Sequence, residues 1–240
     1  MANGFPLTSR LAPAAPGGGP GSVLVDLSHE ITAGATAYPG LPQPELTDHV
    51  TREESRAAYA PGTEFHIGRL CLVGQTGTYL DVPFHRYADG FDLTRLDLAQ
   101  VAGRSAVVID TEERSITPAA FAGRPLRGRA VLIRTNWSRF WGMAEYGSGE
   151  HPHLSAEAAR YLAAEAPAVV GIDSLNIDGT HTGERPAHSE LLGAGIPVVE
   201  HLTNLSQLPS EGARFTAVPV KVAGLGTFPV RAYAAWNRWT

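Results

Sequence analysis

The sequence predicts one α/β domain built on a mixed, barrel-like sheet in which βαβ units supply parallel strands. Three observations carry this. Short, β-branched, nearly continuous apolar runs occur at residues 105–110, 130–135, 168–173 and 196–200, and such runs read as strands buried on both faces. Helical spacing separates the last three runs, at residues 155–166 and 186–192, giving the order strand, helix, strand, helix, strand. Neither an internal repeat nor a break in composition forces a domain boundary across the 240 residues, which suffice for a substantial core.

Taken in order, residues 1–22 are rich in Ala, Pro and Gly and end in Pro16-Gly17-Gly18-Gly19-Pro20-Gly21-Ser22. Such a stretch buries too little apolar surface to offset its ordering entropy, so it reads as a flexible tail, leaving 23–240 as the domain. The first strand is expected at 23–27, followed by the loop Ser28-His29-Glu30 and turn residues through Pro39-Gly40-Leu41-Pro42. Residues 65–73 alternate as a strand does, and the single cysteine, Cys71, is read there as a small buried hydrophobe. Gly77 and Pro83 mark irregular backbone around Asp81. Ser155 is a predicted N-cap for a helix that Pro167 stops, and Gly193 ends the shorter helix. Residues 214–222 and 230–236 supply closing strands.

Composition removes several function classes. Net charge is −5 with no Lys/Arg-rich run, which argues against nucleic acid and anionic membrane surfaces as partners. No apolar run approaches the ~18 residues that span a bilayer. A lone cysteine excludes an internal disulfide, and the N-terminus lacks a charged segment leading into an apolar one, so the expected location is cytoplasmic. Gly-x-Gly-x-x-Gly after a strand, a phosphate loop and a Gly-x-Ser-x-Gly elbow are all missing, hence no nucleotide cofactor is expected.

Two pairs of residues could carry chemistry. Asp81 and His85 flank Pro83, which disfavours a helix and suggests an extended arm presenting a carboxylate and an imidazole. Such a pair can bind a metal, work as acid and base, or form a salt-linked surface turn. Glu200 closes the apolar run after Ile196-Pro197-Val198-Val199, and a carboxylate at the end of a buried strand needs a partner, for which His188 is the candidate. Asp173 and Asn176 border the same cleft or cap the turn that follows their strand. His29, His66, His151, His153 and His181 are individually weak candidates, His181 least so because its loop leads into His188.

The stretch Gln75-Thr76-Gly77-Thr78-Tyr79-Leu80-Asp81-Val82-Pro83-Phe84-His85 resembles the His-x-Gly-Thr-His-x-Asp-x-Pro-x-His motif of the cyclase family, which includes bacterial kynurenine formamidases and isatin hydrolases. Residues 187–200, Ala-His-Ser-Glu-Leu-Leu-Gly-Ala-Gly-Ile-Pro-Val-Val-Glu, are similar to a segment of the formamidase-like members, and Val25-Asp26-Leu27-Ser28 and Gly171-Ile172-Asp173 extend the likeness. The resemblance implies a swivelling β/β/α-type domain and metal-dependent hydrolysis of an amide, lactam or lactone bond in a small substrate, aromatic ones included. Gln75 and Tyr79 stand where the family has two metal-binding histidines. In two-metal members those histidines belong to one ion, and the shared aspartate with a downstream histidine and glutamate holds the other. The resemblance therefore implies one divalent ion, zinc or manganese, on Asp81, His188 and Glu200, or none, but not two.

His85 matches the family's proton-transfer histidine, and imidazole chemistry suits proton transfer near neutral pH. Tyr38 resembles an aromatic position of the substrate pocket, and Gln75 is left to hydrogen-bond a substrate oxygen or fill the vacated space. Two alternatives stand beside this reading. One is a metal-free cyclase or dehydratase with Tyr79 and His85 as the acid–base pair, and the other is a catalytically silent binding protein. Family members assemble, so a homodimer or homotetramer is expected, with Trp236 and Trp239 as candidate contact residues.

Overall fold

The computed structural model describes residues 22–35 and 38–237. The predicted tail, except Ser22, and Trp239 lie outside the described residues. In chain order the elements are β1 (Ser22–Asp26), β2 (Glu45–Val50), α1 (Arg52–Ser55), β3 (Ile67–Cys71), β4 (Tyr79–Asp81), α2 (Leu98–Val101), β5 (Arg104–Asp110), β6 (Ser115–Ile116) and β7 (Ala130–Arg134). The second half adds β8 (His153–Leu154), α3 (Ala156–Glu165), β9 (Val169–Ile172), α4 (Pro186–Gly193), β10 (Val198–Glu200), β11 (Glu211–Thr216), β12 (Thr227–Pro229) and β13 (Tyr233–Asn237).

Among the described residues, nine of these strands form one sheet in the order β1-β13-β11-β5-β7-β9-β10-β4-β12. The centre, β5-β7-β9-β10, is parallel throughout, as the βαβ reading requires. Antiparallel strands extend it on both sides and curl it into a half-barrel. Both faces of the parallel strands are buried. Val107, Ile109, Val131, Ile133, Val170 and Ile172 pack with Ala158, Leu162, Leu191 and other residues of α3 and α4. The intervening Ala106, Val108, Ala130, Leu132 and Val169 point the opposite way, onto Val25, Leu80, Phe215 and Ala234 inside the curl. Each large aliphatic side chain so buried contributes about 1.5–3 kcal/mol, which explains why polar residues are confined to the ends of these runs.

The helix limits follow local chemistry. The Ser155 hydroxyl accepts from the Ala158 amide, and Ala166 closes α3 in the left-handed region just before Pro167. Pro186 takes the first helical position of α4, where its missing N–H costs nothing.

Three expectations need correction. Ser22 belongs to β1 rather than to a tail. Cys71 is exposed, because among the described residues β3 pairs only with β2 and every residue of β3 is exposed. Alternation alone does not bury a strand that no second layer covers. The closing strands are β11 and β13, with residues 217–222 outside β11 and a separate strand, β12, inserted before β13. Trp236, on β13, is partly buried against the core.

Candidate active site

Strand pleating places the site. Tyr79 and Asp81 lie two apart on β4, so both side chains emerge on one face. Across the ladder Tyr79 pairs with Glu200 of β10, and on the other edge Asp81 pairs with Thr227 of β12. Paired residues share a face, so four polar groups converge where β10 ends. Leu80 and Val199, their neighbours, face the opposite core. Helix α4 packs on the polar face and delivers His188.

His188 is held by a buried carboxylate that sequence reasoning missed. The Asp178 oxygens accept from the Ala187 and His188 amides at 2.6 and 3.0 Å, closing the first turn of α4. Asp178 Oδ2 also lies 2.6 Å from His188 Nδ1. A carboxylate accepts, so Nδ1 carries the proton and Nε2 turns toward Asp81 Oδ2 at 3.7 Å and Glu200 Oε1 at 3.8 Å. Glu200 is clamped in turn: Oε2 accepts from the Tyr79 hydroxyl, and Oε1 accepts from the Ile177 amide at 2.5 Å. Asp81 Oδ1 accepts from the Thr227 hydroxyl, whereas Asp81 Oδ2 is buried with no hydrogen-bond partner.

Three buried carboxylates thus surround one imidazole. Burial pushes Glu200 up to about 7, with the His188 charge opposing and Asp81 adding to the shift. Burial disfavours the His188 cation, yet Glu200, Asp178 and Asp81 together hold its proton well above the ordinary range. Tyr79 is raised well above 10 by burial and by the Glu200 and Asp81 charges. The common physical content is a demand for positive charge at Nε2 and Oδ2. An unpartnered buried carboxylate oxygen facing an imidazole nitrogen fits a divalent cation, for which mixed N/O ligands are usual.

His85 sits at the rim. Its side chain is 33% exposed, 3.9 Å from Asp81 Oδ1, and its ring centroid is 5.7 Å from that of His188. Gln75 Nε2 is 3.5 Å from His85 Nδ1 and 3.4 Å from the Thr227 hydroxyl. The backbone at His85 is fixed by a close approach: a Cβ on Gly226 would come within 2.2 Å of the His85 nitrogen. Among the described residues the Asp81, His85 and His188 ligand atoms all lie within 4.8 Å of one another. Geometry alone therefore brings His85 within ligand reach as well as Glu200.

A pocket of ≈ 290 Å³ opens over this floor, lined by Tyr38, Leu41, Gln75, Tyr79, Asn176 and Arg185 together with the groups above and Arg86. Tyr38 is raised by burial and the Glu200 charge, with Arg185 opposing. Asp173 is not among the lining residues. It accepts from the Thr135 amide and hydroxyl at 2.7 and 2.6 Å and from the Asn136 amide at 2.9 Å, so it staples one strand end to the next loop. His181 stands on the surface beside Arg114 and Glu150, away from the pocket. Asp178, Thr227, Arg86 and Arg185 were missed. Only Asp178 left a trace, as the head of the loop leading into His188, and Thr227 reaches Asp81 from 146 residues away.

Residues 25–179 match the family model Cyclase, described as "Putative cyclase". The chain belongs to the cyclase family. It is 26% identical over 212 residues to a kynurenine formamidase of Bacillus cereus, covering 88% of this chain and 96% of that one. A kynurenine formamidase of Bacillus mycoides is 27% identical over 168 residues, covering 70% and 78%. Among solved structures, a potential metal-dependent hydrolase with cyclase activity superposes with a TM-score of 0.73 at 26% identity, over 90% of this chain and 99% of that chain. Isatin hydrolase A of Labrenzia aggregata, bound to benzyl benzoate, gives 0.76 at 24% identity over 90% and 94%. The last likeness concerns the fold, and it matches the half-barrel described above.

Proposed function

We propose that the chain is a metal-dependent hydrolase of a C–N bond, amide or lactam, in a small substrate. The observation that carries the reading is Asp81 Oδ2, buried and without a hydrogen bond, 3.7 Å from His188 Nε2, the ring nitrogen turned away from Asp178. Asp81, His188 and Glu200 would hold one divalent ion. A bound ion supplies Lewis acidity for the scissile carbonyl and acidifies water.

The chain's own groups do the rest. Asp178 fixes the tautomer and direction of His188, a support that raises ligand basicity. Tyr79 donates to Glu200, satisfying the oxygen turned away from His188. His85 is the mobile imidazole: it accepts a proton from the attacking water and returns it to the leaving nitrogen. Gln75 borders His85 and the pocket, where its amide can donate to a substrate oxygen. Tyr38 and Leu41 supply an apolar wall. The relatives named kynurenine formamidase support the bond class, and zinc or manganese suits the ligand set. No observation favours Tyr79 as a free acid or base, since its hydroxyl is engaged with Glu200.

The test is metal analysis coupled to turnover of formanilides and isatin-type lactams. The expected result is on the order of one ion per chain and hydrolysis that a chelator stops and added ion restores. Chelator-insensitive hydrolysis by protein holding less than about 0.2 ion per chain would sink the reading.

A further inference from the structure

Four residues other than glycine hold a left-handed backbone among the described residues: Asn136, Ala166, His201 and Asn204. Ala166 caps α3, and the two asparagines are exposed. His201 differs from all three. It is fully buried, ends no helix and directly follows Glu200 at the end of β10. A φ of 58° costs a residue with a side chain conformational energy that surrounding contacts must offset, and such strain gathers where geometry serves a site.

The contacts that hold His201 lead to one turn. Its Nε2 donates to the Leu175 carbonyl at 2.7 Å, and its amide donates to the Ser174 carbonyl at 3.4 Å. Its carbonyl accepts from the Thr78 hydroxyl at 2.6 Å, and its ring meets the Tyr79 ring edge-on with centroids 5.0 Å apart. Residues 174–178 are buried throughout. Residues 151–152 pin them as well: His151 Nε2 stands 3.0 Å from the Asp178 carbonyl, and the Ser174 hydroxyl donates to the Pro152 carbonyl at 2.7 Å. The turn so pinned gives the Ile177 amide to Glu200 and the Asp178 carboxylate to His188. Two groups of the floor, carried by β10 and α4, are therefore mounted on one turn. The imidazole of His201 ties that turn to the end of β10 without drawing on the Glu200 carboxylate. His201 itself does not line the pocket.

We propose that His201 is a positioning residue: through its bond to the Leu175 carbonyl it fixes the 174–178 turn, and with it the placement of Glu200 relative to His188. This rests on the hydrolase reading for the ion that those groups would hold. Ligands on separate elements keep their spacing when a rigid support joins them, and loosening such a support weakens ion binding. Two substitutions separate the bond from the bulk. His201→Phe keeps a buried ring beside Tyr79 and removes the donor, whereas His201→Gln keeps an N–H donor at about the reach of Nε2.

The experiment compares the wild type with both variants by amide hydrogen exchange of the chelated, metal-free full chain. In His201→Phe the amides of Ile177, Ala187 and His188, which bond to Glu200 and Asp178, should exchange about tenfold faster, while the amides of α3 keep their wild-type rates. His201→Gln should recover most of that protection. A second readout is the affinity for zinc alone, titrated against a chromophoric chelator. It should fall about 10- to 100-fold in His201→Phe and recover in His201→Gln. Unchanged local exchange in His201→Phe, or an acceleration shared equally by α3, overturns the inference; zinc-dependent hydrolysis by the wild type would still stand. A wild type that binds no zinc, while His201→Phe loses protection only around the turn, sinks the hydrolase reading and upholds the positioning role. If His201→Phe fails to fold, His201→Asn takes its place, since asparagine suits the left-handed backbone and is one carbon shorter than glutamine. Equal protection in His201→Asn and His201→Gln then overturns the inference.

Discussion

The floor and the rim of one pocket are built on opposite terms. On the floor, His188, Asp81 and Glu200 are buried, and each is held by a named partner: Asp178, Thr227, and Tyr79 with the Ile177 amide. At the rim, His85 is partly exposed and its nearest polar neighbour, Gln75, stands at 3.5 Å. The difference teaches a division of labour. Buried, clamped groups hold a charge in a fixed place, since their geometry is over-determined and their desolvation is offset only by that charge. An imidazole in contact with water and within reach of the pocket can take a proton from water and give it to a leaving group.

Changes on the floor should strike ion binding first. His188→Ala removes the nitrogen that faces Asp81 and Glu200. It is expected to abolish ion binding and reduce hydrolysis to background, read by elemental analysis and turnover. Asp178→Asn touches only the support. About a 10- to 100-fold loss of ion affinity is expected, with turnover recovering at high ion concentration. Unaltered affinity would show that the Asp178 bond merely caps α4. Tyr79→Phe strips Glu200 Oε2 of its donor, and denaturant unfolding should report about 1.5–3 kcal/mol lost stability. Hydrolysis should survive this substitution. Its complete loss would revive the metal-free reading with Tyr79 as acid.

The smallest effect is expected outside both regions. His29 stacks on Trp141 with centroids 3.9 Å apart, and burial lowers it to about 4 from an ordinary value of 6.5. The folded state thus refuses a proton that the unfolded chain accepts. The His29 contribution to stability is complete above pH 6.5 and is lost as the pH falls toward 4, by about 1–2 kcal/mol at pH 5. His29→Phe keeps the stack and should reduce the dependence of Tm on pH over that window, leaving the part carried by His201, which burial lowers to about 3, and by His151, which burial also lowers. An unchanged slope would assign the acid sensitivity to other groups.

The same floor–rim difference explains what the residues disclosed beforehand. Strands such as β7 and β9 were legible because burial on both faces forces unbroken apolar runs. Helix α3 was legible because its cap and stop, Ser155 and Pro167, act locally. Strand β2, Glu-Leu-Thr-Asp-His-Val, was missed because an exposed two-stranded ribbon imposes no apolar pattern. Asp81, His188 and Glu200 were individually visible, and the resemblance grouped them. Their supports were not visible. Thr227 meets Asp81 through strand pairing, and Asp178 meets His188 through a loop, so neither leaves a periodic mark. Asp173 lies off the pocket lining. Its carboxylate accepts from the backbone amides of residues 135 and 136, an arrangement set by tertiary pairing that no local pattern announces.

His85 decides between the two regions most directly, because geometry places it within ligand reach while the account makes it a proton carrier. The measurement is ion content and turnover of His85→Ala beside the wild type, under the same ion supply. The same single ion is expected in both proteins, with about a 10²- to 10⁴-fold loss of kcat in the variant. Loss of the ion with His85, or full activity without it, would contradict the division between a fixed floor and a working rim.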